Sequence, residues 1–419
     1  MMTFARGLLA ILLLLVAVTA WAGAGWVRVV DAHTCRPIEE ALVTAAGRVE
    51  RTDQEGVLAL PTPARVIGVR APGYRRMEWS DSGPGLSSVE IRLQPFQPKA
   101  LYLSFYGIGD AGLRGAALKL LDETELNALV IDVKGDRGGV PYPSGVALAK
   151  EVGAQKTITV RDMPALLARL HAQGVYTVAR VVAFKDDPLA RARPALAIRN
   201  GAGEVWLDGE GLAWSDPFRH EVWDYVIDIA EEAARLGFDE IQFDYLRFPD
   251  TTGLVFAKAS TEANRVAAIG GFLAEARRRL APWNVFVAAN VFGYVLWNRG
   301  DTDIGQRLED LAPLLDYISP MLYPTTFQFG IPGYRDPVAH PYEVVNLTLQ
   351  NVRKRIDLPA THFRPWLQDF RDYAFDHREF GVDEIGAQIR AAEVFGANGW
   401  MLWNPRNIYS GAGLRRNGK

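Results

Sequence analysis

Gly237-Phe238-Asp239-Glu240-Ile241-Gln242-Phe243-Asp244-Tyr245-Leu246-Arg247-Phe248-Pro249-Asp250 follows a stretch of strong helical period, Arg219 to Leu236. Helix, short glycine turn, strand and loop succeed one another as in one βα unit. Ile241, Phe243 and Tyr245 alternate with Gln242, Asp244 and Leu246, which predicts a strand with an apolar back and a partly polar front. Pro249 stops the run. An ionised side chain at the end of a buried strand is costly unless something pairs or uses it, so Asp244 is the first candidate for chemistry.

Strand-like segments of the same kind recur at Ala100 to Phe105, Ala128 to Val133, Tyr176 to Phe184, Val285 to Val291, Tyr317 to Leu322, Arg364 to Leu367 and Gly399 to Trp403. With helical patterns between them, these repeats predict an α/β fold, a closed (β/α)8 TIM barrel over residues 99–419. An open doubly wound sheet is the alternative and would carry a glycine-rich phosphate turn after its first strand. Phe105-Tyr106-Gly107-Ile108-Gly109-Asp110 lacks the third glycine at the required spacing and reads as a loop.

Ahead of the barrel, residues 25–95 show short β runs with turn punctuation: Trp26 to Val30, Ala41 to Thr44, Val57 to Leu60, Val66 to Arg70 and Val89 to Leu93. They predict a small all-β sandwich, joined to the barrel by the stiff linker Pro95-Phe96-Gln97-Pro98. Residues 1–22 carry Arg6, an apolar run from Leu8 to Val18 and Ala20-Trp21-Ala22, the pattern of a secretory signal peptide. The expectation is export to the periplasm or the cell exterior, with no membrane span after cleavage, or a membrane anchor where the signal is retained.

A formal net charge of -3 argues against a nucleic-acid partner. Eleven Trp, 14 Tyr and 19 Phe suit a carbohydrate partner, because aromatic faces stack on sugar rings. The six histidines show no His-x-His or His-Glu-x-x-His spacing, and a single Cys forms no cluster, so no metal is expected. No Gly-x-Ser-x-Gly elbow and no cofactor fingerprint is present. Asp186-Asp187 and Asp301-Thr302-Asp303 read as a turn and a helix start.

In a barrel the reacting groups sit at the carboxyl ends of strands. Splitting a glycosidic bond needs one carboxyl to protonate the departing oxygen and one carboxylate to attack or stabilise the sugar carbon. Asp244 takes one role, and Asp132 or Asp369 the other. Asp132 is in phase with Val130 and Lys134, which points all three into the barrel. Lys134, Arg180 and Arg247 are the rim cations, the first two placed to keep the carboxylates ionised. Asn290 and Gln368 offer hydrogen bonds to sugar hydroxyls. Tyr323, Trp366, Trp400 and Trp403 offer stacking faces.

These residues resemble the glycoside hydrolase TIM-barrel family of exported bacterial proteins. The resemblance rests on Asn127 to Asp136, Ala179 to Asp186, Gln242 to Pro249, Tyr317 to Pro324, Arg364 to Phe370 and Gly399 to Pro405. It implies a barrel acting on polysaccharide, with Asp244 where related barrels place a catalytic carboxylate. Residues Asp31 to Ile38, Thr52 to Gly56 and Ala71 to Tyr74 are similar to carboxypeptidase regulatory-like sandwich domains. The later strand ends offer Asn290, Tyr323, Asp369 and Asn404 where many glycosidase barrels carry Glu. The expectation is therefore a cofactor-free glycoside hydrolase, set against a non-catalytic carbohydrate-binding or scaffold protein and a polysaccharide deacetylase or esterase.

Overall fold

The computed structural model describes residues 25–60, 64–80 and 88–417, so the expected signal peptide lies outside the described residues. The amino-terminal part is a two-sheet sandwich of β1 (Gly25–Asp31), β2 (Leu42–Ala45), β3 (Arg48–Arg51), β4 (Val57–Leu60), β5 (Val66–Arg70), β6 (Met77–Ser80) and β7 (Ser88–Leu93). One sheet has the order β4-β1-β7 and the other β3-β2-β5-β6. Val27, Val29 and Ile91 of the first pack on Val43, Ile67 and Val69 of the second. β3 and β6 escape the sequence pattern because both are edge strands whose residues are exposed or half-buried, so neither face carries an apolar row.

The carboxyl-terminal part is a closed barrel of eight parallel strands: β8 (Lys99–Leu103), β9 (Ala128–Lys134), β10 (Tyr176–Val182), β11 (Glu240–Asp244), β12 (Phe286–Phe292), β13 (Tyr317–Met321), β14 (Trp366–Gln368) and β15 (Trp400–Trp403). Pairing of β15 with β8 closes the ring. The helix predicted ahead of Asp244 spans His220–Leu236, and Gly237 ends it in the left-handed region at φ 109°. Its Val222, Val226, Ile229 and Ala233 are fully buried in the layer between strands and helices, where each large aliphatic side chain contributes about 1.5–3 kcal/mol. Alternation sorts β11 as expected. Ile241 and Phe243 join this outer layer, whereas Gln242 bonds to Ser319 and Met401 across the barrel interior.

β9 departs from simple alternation. Arg180 of β10 pairs with Asp132, but the next residue, Val181, pairs with Lys134, so Val133 is an extra residue in β9. Such a bulge turns everything beyond it to the other face. Lys134 therefore points away from the barrel interior, against expectation. It is fully buried, with Nζ 2.9 Å from Asp186 Oδ2 and donating to the Val182 carbonyl at 2.7 Å.

The sandwich docks on the amino-terminal end of the barrel. Arg76 pairs with Asp239, just ahead of β11, at 3.0 Å and donates to the Gly237 carbonyl at 3.0 Å. The Tyr317 hydroxyl, at the start of β13, accepts from Gly73 N. Asn284, ahead of β12, donates to the Met77 carbonyl. Gly68 lies so close that a Cβ there would stand 2.6 Å from Asn284 Cγ. The opposite, carboxyl-terminal end of the barrel is left to the loops.

Candidate active site

Asp244 closes β11, and the chain then turns sharply through Tyr245, which adopts φ 45°. A tyrosine in the left-handed region is strained, and such residues cluster where a site requires a particular backbone. The turn brings Tyr245 N to 2.7 Å from Asp244 Oδ1. The other carboxylate oxygen, Oδ2, accepts from Arg180 Nε at 2.7 Å and faces Nη2 at 2.6 Å.

Arg180 is the hub of the barrel mouth. Its Nη1 donates to Asp132 Oδ1 and its Nη2 to Asp136 Oδ1, each at 2.7 Å, so one guanidinium serves three carboxylates. Burial disfavours its charge, but the fields of Asp136, Asp244 and Asp132 outweigh that and hold its pKa well above the usual value. The guanidinium also stands 5.3 Å from the Tyr102 ring and 5.0 Å from the Trp403 ring, which stack on each other at 4.0 Å.

Asp132 is almost wholly buried. It accepts from the Tyr102 hydroxyl at 2.9 Å and from Phe105 N at 3.0 Å, besides Arg180. Burial raises its pKa to about 6, with Arg180 opposing and Asp136 reinforcing.

Asp369 lies just beyond β14 and is held by its backbone: Asp369 N donates to the Trp403 carbonyl at 3.0 Å, and Asn404 Nδ2 donates to the Asp369 carbonyl at 2.5 Å. Among the described residues no ion pair or hydrogen bond reaches its carboxyl. Burial alone pushes its pKa up to about 8, so it carries its proton at neutral pH.

Two cavities open on this end. The larger, about 870 Å³, is lined by Asp244, Asp369 and Arg180 among others, with Tyr245, Tyr323, Phe370, Trp403 and Tyr409 as aromatic walls. The smaller, about 370 Å³, is lined by Asp132, Asp136, Phe105 and Tyr106. Trp403 and the Arg180 hub stand between them. Asp244 and Asp369 thus share one chamber, and Asp132 faces the other.

Of the remaining expected contacts, Arg247 and Tyr323 also line the larger cavity. Four residues do not reach either one. Trp366 points into the barrel interior with no exposed surface and donates its indole N–H to Asn290 Oδ1 at 2.8 Å, which occupies both. Gln368 is spent on Thr325, donating to Oγ1 at 2.7 Å and accepting from its N at 3.1 Å. Trp400 belongs to the layer between strands and helices, because alternation along β15 puts it opposite in sense to Met401. Lys134, Trp366, Asn290 and Gln368 spend polar atoms on the protein itself, whereas the Trp400 indole N–H is buried without a partner among the described residues. Missed in the sequence were Tyr102, inward by alternation with Ala100 and therefore readable, and Tyr409, which follows the last strand and carries no periodic signal.

Asp186 caps the helix Asp187–Ala192 by accepting from Leu189 N, so the pair expected to form a turn starts a helix, whereas Asp301, expected to start a helix, sits in a turn and accepts from Asp303 N and Gly305 N. No group of three or more His, Cys, Asp or Glu poised to hold a metal occurs among the described residues, and no described helix is long and apolar enough to cross a membrane.

A family model described as "Putative glycosyl hydrolase domain" matches residues 100–409, the whole barrel. Among solved structures, the glycoside hydrolase domain of PgaB (BpsB) from Bordetella bronchiseptica is similar at 14% identity, with 75% of this chain and 95% of that chain covered and a TM-score of 0.52. A hypothetical protein from Ruminiclostridium thermocellum is 36% identical over 45% of this chain and 96% of its own, with a TM-score of 0.41. The α-galactosidase from Thermus thermophilus is 14% identical, with 82% and 73% covered and a TM-score of 0.45. No curated protein matches the sequence.

Proposed function

The chain belongs to the family described as "Putative glycosyl hydrolase domain", and from that premise we propose that it hydrolyses glycosidic bonds of a polysaccharide in the larger cavity, with Asp369 as general acid and Asp244 as the second carboxylate. The observation that carries this reading is the contrast between two acids in one chamber: Asp244 is ion-paired with Arg180, whereas Asp369 keeps its proton to about pH 8. A buried carboxyl that holds its proton, lining the same cavity as an ion-paired carboxylate, has the composition of an acid and its partner.

In the proposed step the bond between the anomeric carbon and the leaving oxygen breaks with its electron pair on oxygen, which takes the proton of Asp369. Asp244 either attacks the positively charged carbon or removes a proton from the water that does so. Arg180 aligns one oxygen of Asp244, and the Tyr245 N–H fixes the other. Trp403 and Tyr323 supply aromatic faces beside the reacting sugar.

Asp132 fits the partner role less well, because the smaller cavity and three hydrogen-bond donors claim it. A carbohydrate-binding protein without turnover is the second reading, favoured by the full engagement of both Asp244 oxygens. The discriminating experiment measures reducing-end release from cell-wall, capsular and biofilm polysaccharides by the wild type and by Asp244→Asn. Release by the wild type that Asp244→Asn abolishes while binding persists supports hydrolysis; an inert wild type that still binds supports the second reading. The signal expected in residues 1–22 fits an exported enzyme acting on such polymers.

A further inference from the structure

Arg247 is the one cation of the larger cavity that is both half-buried and without a carboxylate within 4 Å among the described residues. The other cations there differ. Arg180 is divided among Asp132, Asp136 and Asp244; Arg371 stands 3.6 Å from Glu379; Arg406 is exposed. A guanidinium has five N–H donors. Arg247 spends one on a protein acceptor, the Phe248 carbonyl, at 3.2 Å.

Its position is fixed by aromatic rings rather than by an acid. The guanidinium carbon lies 5.1 Å from the Trp214 ring, 5.2 Å from that of Tyr245 and 5.4 Å from that of Phe292. Trp214 is itself held by its N–H, which donates to Asp208 at 2.9 Å. Rings beside a guanidinium leave its N–H donors largely unspent, and a fork of such donors suits a bidentate anion. Arg371 and Arg406 also line the cavity, but at its exposed edge, which leaves Arg247 as its inner cation outside the Arg180 cluster.

We infer that Arg247 seats an acidic substituent, a carboxylate or a sulfate ester, on the sugar bound beside Asp244, so that the preferred polymer is anionic. This deepens the hydrolysis reading and rests on its placement of the substrate. A charge-assisted pair made in a half-buried site is worth about ten- to a hundredfold in affinity.

The test uses calorimetric titration of the full chain carrying Asp369→Asn, which removes the proposed proton donor and leaves the cavity. The probes are glucuronate- and mannuronate-containing oligomers, each beside its carboxyl-reduced form, and sulfated oligomers beside their desulfated forms. The expected result is that acidic oligomers bind at least about tenfold more tightly than their uncharged counterparts. Arg247→Met in the same background erases that preference, and Arg247→Lys restores part of it. Whether the carboxylated or the sulfated arm binds best identifies the group. Uncharged oligomers that bind as tightly as the acidic ones, or a preference that survives Arg247→Met, overturns the inference. Cleavage by the wild type is scored separately: cleavage of neutral chains with no acidic preference overturns the inference alone, whereas acid-selective binding with no cleavage overturns the hydrolysis reading alone.

Discussion

Asp244 and Asp369 line the same cavity, yet Asp244 lies 2.6 Å from the guanidinium of Arg180 while among the described residues no cation or donor reaches the carboxyl of Asp369. Burial without a partner keeps the Asp369 carboxyl neutral, whereas Asp244 has a buried guanidinium as its partner. The difference can be measured as both pH dependence and stability.

Asp369→Asn is expected to lower kcat by about 10²–10⁴-fold, the usual contribution of a positioned proton donor. Wild-type turnover should fall as pH rises through about 8, where Asp369 gives up its proton. The same substitution should stabilise the fold at alkaline pH. A folded pKa of about 8, raised by burial above the usual 3.8, makes a contribution to stability that is complete below about pH 4 and lost by about pH 8. The melting temperature of Asp369→Asn relative to wild type should therefore climb from pH 4 to pH 8; a constant difference would contradict the buried, unpaired state of Asp369.

Arg180→Met should destabilise the protein by about 3–5 kcal/mol, since it leaves Asp132 and Asp244 buried without their cation. Denaturant titration at neutral pH measures this. Lowering the pH should recover part of the loss as Asp132 takes up a proton, and at a higher pH than in the wild type, because Arg180 is what opposes the rise of the Asp132 pKa.

Lys134→Met is a test of the bulge in β9. It removes the partner of the fully buried Asp186 and should cost about 3–5 kcal/mol, while Lys134→Met with Asp186→Leu should return most of it. The catalytic constants of the folded fraction should stay near wild type, because Lys134 faces away from the barrel interior. A collapse of kcat in stable protein would restore Lys134 to the mouth.

Gly68→Ala should weaken the seating of the sandwich on the barrel, at a cost of about 1–3 kcal/mol, by driving a methyl group into Asn284. Asn284 yields little, because its side chain donates to the Met77 carbonyl and accepts from Arg70. Faster proteolysis within 25–98 is the readout. Turnover by surviving protein should be unchanged, because the contact lies at the end of the barrel away from Asp244.

What the sequence determined by itself is the set of features with a local physical cause. Period-two alternation marked all eight barrel strands, and in β11 it aimed Asp244 to the mouth and Ile241 and Phe243 to the helices. A short carboxylate serves a turn and a helix cap through the same hydrogen bond to a backbone N–H, so the sequence did not separate Asp186, which caps a helix, from Asp301, which closes a turn. What only the tertiary structure decided is the company each side chain keeps. One extra residue, Val133, reversed Lys134 and gave it to Asp186, and no pattern along β9 announces a bulge because pairing with β10 creates it. Trp366 and Asn290 bond each other across 76 residues of chain, and neither lines the two cavities of the mouth. Asp132 and Asp369 were both candidates in sequence, the first aimed inward by alternation and the second lying past its strand, where alternation does not reach. They part company because charge and hydration depend on neighbours from distant strands, which place Asp132 among donors and leave Asp369 buried without one in the cavity that Asp244 also lines.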